Sequence, residues 1–288
     1  MATSPSPMPG KGPGRISAKP DIATLGGLAL ALAGILGGLV LEGGKVTDIA
    51  QVTALFIVLG GTFGAVMVTT PLPILIRAMK KLGAVFMEEK HEPAEVIEEL
   101  ISYASKARKS SIVSLESDLD TIADPFLKKA LSLAVDGTDL QELRKMMELD
   151  MTLEEKASEA CAKVWEAAGG YSPTIGIIGA VLGLIQVMKH LENIEEVGRG
   201  IAVAFVATVY GVASANLFFL PSGNKIKARA QQTMEIRELM LEGVCSIVEG
   251  LNPKLIRLKL EGFAREAAPK AEKKPNSKTQ AQAAAAEG

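Results

Sequence analysis

The chain has 288 residues, of which 48% are hydrophobic and 22% charged, with a formal net charge of −2 and only 4% aromatic residues. That balance excludes the basic surface and the stacking rings that nucleic-acid binding uses, so no nucleic-acid partner is expected. Two cysteines without CxxC spacing and two isolated histidines offer neither a metal site nor a disulfide framework.

In chain order, residues 1–20 are rich in Pro, Gly and Ser and are predicted to form a disordered cytoplasmic tail. Its glycines, Gly10-Lys-Gly-Pro-Gly14, lack the spacing of a phosphate-binding loop. Residues 21–76 hold two long apolar stretches, Ile22–Leu41 and Ile49–Ile76, and are predicted to form a first transmembrane hairpin. The first stretch is too long and continuous for a cleaved signal peptide and reads as an uncleaved anchor. Residues 77–166 are charged and amphipathic, a helical cytoplasmic domain. Pro93 is placed to open a helix there, Asp124–Pro125 and Asp136–Gly137 break the pattern, and Thr138–Gln141 has the form of a capping box. A helix over Leu153–Ala168 is predicted to run directly into the third apolar stretch. Residues 167–223 hold that stretch, Ala167–Met188, and a fourth, Gly200–Gly223, as a second transmembrane hairpin. Residues 224–266 are predicted to be a cytoplasmic helix, amphipathic over Lys225–Ile256, and residues 267–288 a second disordered tail.

The predicted fold is therefore an all-α membrane protein: four transmembrane helices in two hairpins around a large helical cytoplasmic insert. A helix of about 20 residues crosses the hydrocarbon core, and none of these stretches contains Asp, Glu, Lys, Arg or His. Arg15, Lys19, Arg77, Lys80, Lys81, Lys225, Lys227 and Arg229 flank them on one side, which places both termini and the insert in the cytoplasm of a multi-pass inner-membrane protein. Cys161 and Cys245 then fall on the reducing side, and His91 and His190 read as solvated surface residues. Small residues recur at four-residue spacing: Ser172, Gly176 and Ala180; Gly179 and Gly183; Ala207, Gly211 and Ala215, with Ala204 and Thr208 alongside. Such stripes let membrane helices pack closely. They fit packing within one chain, and also packing against other subunits or a partner's helix.

Five segments in this order resemble the MotA/PomA family of flagellar motor stator proteins. They are Asp21–Thr24 with Glu42–Gly44, Phe56–Ala65, Ala107-Arg108 with Leu115-Glu116, Ser172–Leu184, and Ala202–Val212 with Asn216 and Pro221 after it. The resemblance covers about Asp21–Pro253. It implies a homo-oligomeric ring, a pentamer, around a MotB-type single-span, peptidoglycan-binding partner whose membrane aspartate carries the ion. It also implies a chain that is not an enzyme and needs no cofactor. Pro173 and Pro221 match the family prolines at the inner ends of the third and fourth spans, where bends transmit protonation of the partner. Thr208 and Tyr210 lie along the implied ion pathway, as does Ala180. Sodium-driven relatives usually carry threonine at the Ala180 position, so its methyl group implies H+ rather than Na+ as the transported ion. Arg108 and Glu116 match the charges presented to the rotor protein FliG. On one continuous helix they would stand about 12 Å apart along the axis. Relatives often have Gly where Ser111 stands, and Glu154 and Glu155 are further rotor-facing or structural charges.

The implied function is a stator subunit that couples ion flow to torque. The alternative is a TolQ/ExbB-type subunit of a proton-driven complex serving the outer membrane. Such proteins share the last two spans but have three in all, and the extra span and the Arg108/Glu116 pair argue against them. A self-sufficient transporter would need charges or broken helices at mid-membrane.

Overall fold

Proline and glycine punctuation decides where the long apolar runs become helices. The computed structural model describes residues 19–88 and 92–267. The tails predicted at 1–20 and 267–288 lie, but for their inner ends, outside the described residues, and His91 lies outside them too. The described helices are α1 (Ile22–Leu41), α2 (Val52–Thr69), α3 (Leu72–Val85), α4 (Pro93–Ser110), α5 (Pro125–Val135), α6 (Leu140–Lys189), α7 (Ile194–Val248) and α8 (Pro253–Ala267). Of these α1, α2, α6 and α7 are long and apolar enough to cross a membrane, so the fold is all-α with four spans. Among the described residues the only strand pairing is antiparallel, β1 (Lys19–Pro20) with β2 (Met87–Glu88). The chain forms two compact units. The described part of a membrane unit falls within Ile16–Lys90 and Met151–Thr233, and that of an insert unit within His91–Asp150 and from Met234 onward.

In the membrane unit the second span is shorter than its apolar run. Val46–Ile49 is a separate 3-10 turn, and α2 stops at Thr69. The cause is Pro71, whose ring disfavours helical backbone in the residue before it; Thr70 is accordingly extended, at φ −125° and ψ 128°. The chain restarts at once as α3, whose Ile74, Leu75, Ala78 and Leu82 pack on Cys161, Val164, Trp165 and Ala168 of α6 and on Phe219 and Ile226 of α7. Trp165 is the centre of this cluster. Its indole Nε1 donates to the Ala78 carbonyl at 3.3 Å, and its ring stacks on Phe219 and meets the edge of Phe218. Burying each such ring contributes about 1.5–3 kcal/mol. The predicted helix Leu153–Ala168 and the third span are one helix, α6. Its cap is Asp139, which accepts from the Gln141 N–H at 3.0 Å, one residue beyond the Thr138 start predicted for the capping box.

In the insert unit, Pro93 opens α4 as predicted, and Val96, Ile97, Leu100 and Ala104 form its buried face. Asp124 caps α5 by accepting from the Phe126 and Leu127 N–H groups at 2.8 and 2.9 Å. The core joins these helices to Leu143, Met147, Val244, Ile256 and Leu260, all buried. The amphipathic helix predicted over Lys225–Ile256 divides: α7 ends at Val248, Gly250 takes φ +72°, and Asn252 caps α8 through the Lys254 N–H at 3.0 Å. Gly250 can adopt that left-handed backbone because it has no Cβ. Cys245 is buried here and Cys161 in the membrane unit, and both are free.

Candidate functional site

The third and fourth spans, in α6 and α7, pack through glycine. A Cβ added to Gly211 would lie 2.7 Å from the Ser172 carbonyl oxygen and 3.3 Å from the Pro173 Cα. One added to Gly176 would lie 2.9 Å from the Ala207 oxygen and 3.4 Å from the Thr208 Cα, and one on Gly183 would lie 2.7 Å from the Gly200 oxygen. The second span joins at Gly179, where an added Cβ would meet Ala207 at 2.7 Å and Ile57 at 3.3 Å. Lipid gives no hydrophobic reward for helix association, so this backbone-to-backbone contact supplies the packing energy. Gly176, Gly179, Gly183 and Gly211 are therefore spent within the chain. At the seam the hydroxyls of buried Ser172 and half-buried Ser214 lie 2.7 Å apart, and the Ser214 Oγ is also 2.6 Å from the Tyr210 carbonyl.

Pro173 sits inside α6, not at its start, beside this seam. Its missing N–H leaves the Gly169 carbonyl without the usual helical partner. Pro221 is likewise inside α7 and is exposed. A π-helical turn, Ala215–Phe219, ends two residues before it, and a second occupies Phe56–Gly60 of α2. Such turns absorb an irregularity in the hydrogen-bond ladder and are frequent at functional sites. Thr208 is half-buried and donates to the Ala204 carbonyl at 3.2 Å, leaving its oxygen lone pairs open. Ala180 is half-buried with no polar atom to offer. Tyr210 donates its hydroxyl proton to the Ile49 carbonyl and accepts from the Gln51 N–H at 3.3 Å, so it holds the start of the second span. The structure thus brings Pro173, Thr208 and Tyr210 to the α6–α7 seam and its neighbour; Ala180 shares the helix face of Gly176 and Gly183, and Pro221 lies exposed beyond the π-helical turn. The outward side of these spans carries Ile177, Val181, Ile185, Phe205, Val209 and Val212, all exposed.

Sequence reasoning passed over the role of Asp21. This acid caps α1 through the Thr24 N–H at 3.0 Å and is only 6% exposed. It receives Lys225 at 2.6 Å and Arg229 at 2.9 Å from α7, while its own N–H donates to the Phe86 carbonyl at 3.0 Å. The Lys225 hydrogen bond, with the Thr24 N–H, holds its carboxyl well below the usual carboxylate range. The available signal was one acid before the first span and a run of cations after the last. His190, expected to be solvated, has a side chain 42% exposed, with its Nδ1 2.9 Å from a Glu196 carboxylate oxygen.

In the insert unit Arg108 and Glu116 are both exposed, and neither forms an ion pair among the described residues. They do not share a helix. α4 ends at Ser110, and Glu116 lies in the 3-10 segment Ile112–Thr121 anchored by buried Leu115. The helical spacing predicted for the pair is therefore absent, and the break is Ser111. It has φ 76° and ψ 157°, the one positive φ outside glycine among the described residues, in a region that is nearly glycine-only and costs about 1–3 kcal/mol. Lys106 braces the turn against Asp118 at 2.7 Å. Glu154 is a structural charge, paired with Lys81 at 3.0 Å, and Glu155 is exposed.

Four spans without Asp, Glu, Lys, Arg or His, two before and two after a helical insert, define a membrane subunit of the ion-channel type found in energy-coupling complexes. Residues 118–239 match the MotA/TolQ/ExbB proton channel family, and residues 25–111 match the N-terminal region of motility protein A. Motility protein A of Bacillus subtilis is 35% identical over 241 residues, covering 83% of this chain and 89% of that protein. The solved structure of C. jejuni MotAB superposes with a TM-score of 0.80 at 33% identity, covering 88% of this chain and 98% of its own. That of the flagellar MotAB stator complex from Bacillus subtilis gives 0.77 at 34% identity, over 87% and 100%. The chain belongs to the motility protein A family.

Proposed function

We propose that this chain is the stator subunit of a bacterial flagellar motor and forms, with a MotB-type single-span partner, an ion channel that couples ion flow to torque. The observation that carries this reading is four spans without one Asp, Glu, Lys, Arg or His, in a chain of this family. A carboxylate near mid-membrane costs about 2.5–3.5 kcal/mol on insertion scales and persists where function needs it. Here it has to come from another polypeptide, and the exposed apolar side of α6 and α7 is where a partner helix fits.

Around that partner the subunits form a homo-oligomeric ring, a pentamer, in the inner membrane, with both termini and the insert in the cytoplasm. The flanking cations support this orientation. Arg108 and Glu116 face the rotor protein FliG, because both charges are exposed and without an ion pair among the described residues, where a partner's charges can reach them. Electrostatic contacts of this kind set register more than affinity, which suits a contact made and broken repeatedly. Pro173, beside the Ser172–Ser214 hydroxyl pair, and Pro221, after its π-helical turn, are the points at which the spans yield when the partner's acid changes charge. The chain itself performs no covalent chemistry.

The ion is the proton. Thr208 offers one hydroxyl oxygen and Ala180 offers none, while Na+ needs several oxygen ligands. Motility should therefore persist without Na+, at fixed membrane potential and pH gradient, in a strain relying on this chain and its partner. Arrest of the motor on sodium removal would contradict the proton assignment. Normal proton flux without any torque would contradict the stator reading.

A further inference from the structure

Six cations follow the second and fourth spans: Arg77, Lys80, Lys81, Lys225, Lys227 and Arg229. Four are taken up by acids of the same unit. Lys81 binds Glu154 at 3.0 Å and Ser158 at 2.6 Å, Lys225 and Arg229 converge on Asp21, and Lys227 pairs with Glu166. Arg77 and Lys80, both on α3, are exposed and have no ion pair among the described residues.

α3 also carries more apolar surface than its own unit uses. Leu75, Ala78 and Leu82 face the Trp165 core, yet Leu72, Ile76 and Met79 are 60%, 48% and 48% exposed. At spacings of four and three residues these three share one face of the helix. The exposed stripe begins three residues after α2, a membrane span, ends at Thr69, so it starts where the hydrocarbon stops. An apolar stripe with unpaired cations beside it is the pattern of a helix lying in the plane of a bilayer surface. The long stems of Arg and Lys can cover apolar surface while their heads reach the phosphates.

We propose that α3 is a lipid-binding helix, with Leu72, Ile76 and Met79 against acyl chains and Arg77 and Lys80 holding an anionic phospholipid headgroup. The occupant is a lipid because the face continues from a helix that crosses the bilayer, and the two charges, without an ion pair among the described residues, complement a phosphate. The bound lipid fixes the end of the second span without using any of the acids that hold the other cations.

The test uses the complex of this chain with its partner in vesicles of phosphatidylcholine mixed with phosphatidylglycerol, reading retained lipid by native mass spectrometry. The wild-type complex should enrich phosphatidylglycerol. R77Q/K80Q should lower that enrichment about thirty-fold and each single change about five-fold, given the attraction of one basic residue to an anionic surface. K227Q, at a cation already paired with Glu166, should leave it unchanged. A nitroxide on Ile76→Cys should collide with lipid-dissolved oxygen and not with an aqueous nickel chelate. Unaltered enrichment in R77Q/K80Q would overturn the proposal. So would a nitroxide shielded from both probes, which means a second copy covers the stripe, or one open to nickel, which means water does. Should R77Q/K80Q fail to accumulate, the single variants and the nitroxide still decide the matter.

Discussion

The first span and the α6–α7 seam have similar compositions and opposite fates. In α1 no residue is buried, and a Cβ added to Gly26, Gly27, Gly34, Gly37 or Gly38 would meet nothing within 4 Å. At the seam, Gly176, Gly183 and Gly211 each stand where an added Cβ would strike backbone at 2.9 Å or less. Small residues therefore mark where close approach is possible, not where it happens. The seam uses its glycines inside the chain. α1 is fastened within its unit at its N-terminal end, through Asp21 and the β1–β2 pair, and keeps its glycines for lipid or for other copies.

The largest expected effect is at the seam. Gly211→Val would press two γ-methyls into the Ser172–Pro173 backbone, which cannot retreat, and overpacking of this kind costs at least about 1–3 kcal/mol. Membrane accumulation and thermal unfolding should both fall sharply. Gly34→Val, the same change on α1, should leave the unfolding of the purified single chain within about 0.5 kcal/mol of the parent. Equal damage at both sites would break the comparison.

A smaller effect is expected at the fastening point. Asp21→Asn keeps the cap but removes the charge between Lys225 and Arg229, at a cost of about 1–2 kcal/mol. The pH dependence has a definite sign. Because folding lowers the Asp21 pKa below 3.8, its contribution is complete above that value and is lost as pH falls toward the folded one. Acid titration of unfolding in detergent should show this loss in the parent and not in D21N. A D21N curve parallel to the parent at low pH would contradict the assignment.

Much of this was legible in the chain itself. The ends of α1 were readable because apolar residues stop at polar ones, and the α4 start because Pro93 favours a first turn. The end of the second span was not, since Thr70–Ile76 is as apolar as the span and only the backbone rule before Pro71 reveals the break. The division of α7 from α8 rested on Gly250, a signal outweighed by helical periodicity on both sides. At the site, Pro173 and Thr208 could be placed on the right helices, but Tyr210 could not be assigned its bonds to Ile49 and Gln51 because those partners are about 160 residues away (159 and 161 in sequence). Arg108 and Glu116 were identified as residues but not as geometry. Ser111 ends the helix between them with a backbone that serine rarely adopts, and no periodicity announces that.

The most direct measurement is proton flux into liposomes holding the purified chain alone, beside liposomes holding the chain with its partner. Uncharged spans predict flux only when the partner's acid is present, and its loss when that acid is replaced by the amide. Flux through the chain alone at a similar rate would contradict the account, because the protein would then move ions with no acid or base of Asp, Glu, Lys, Arg or His in its apolar spans.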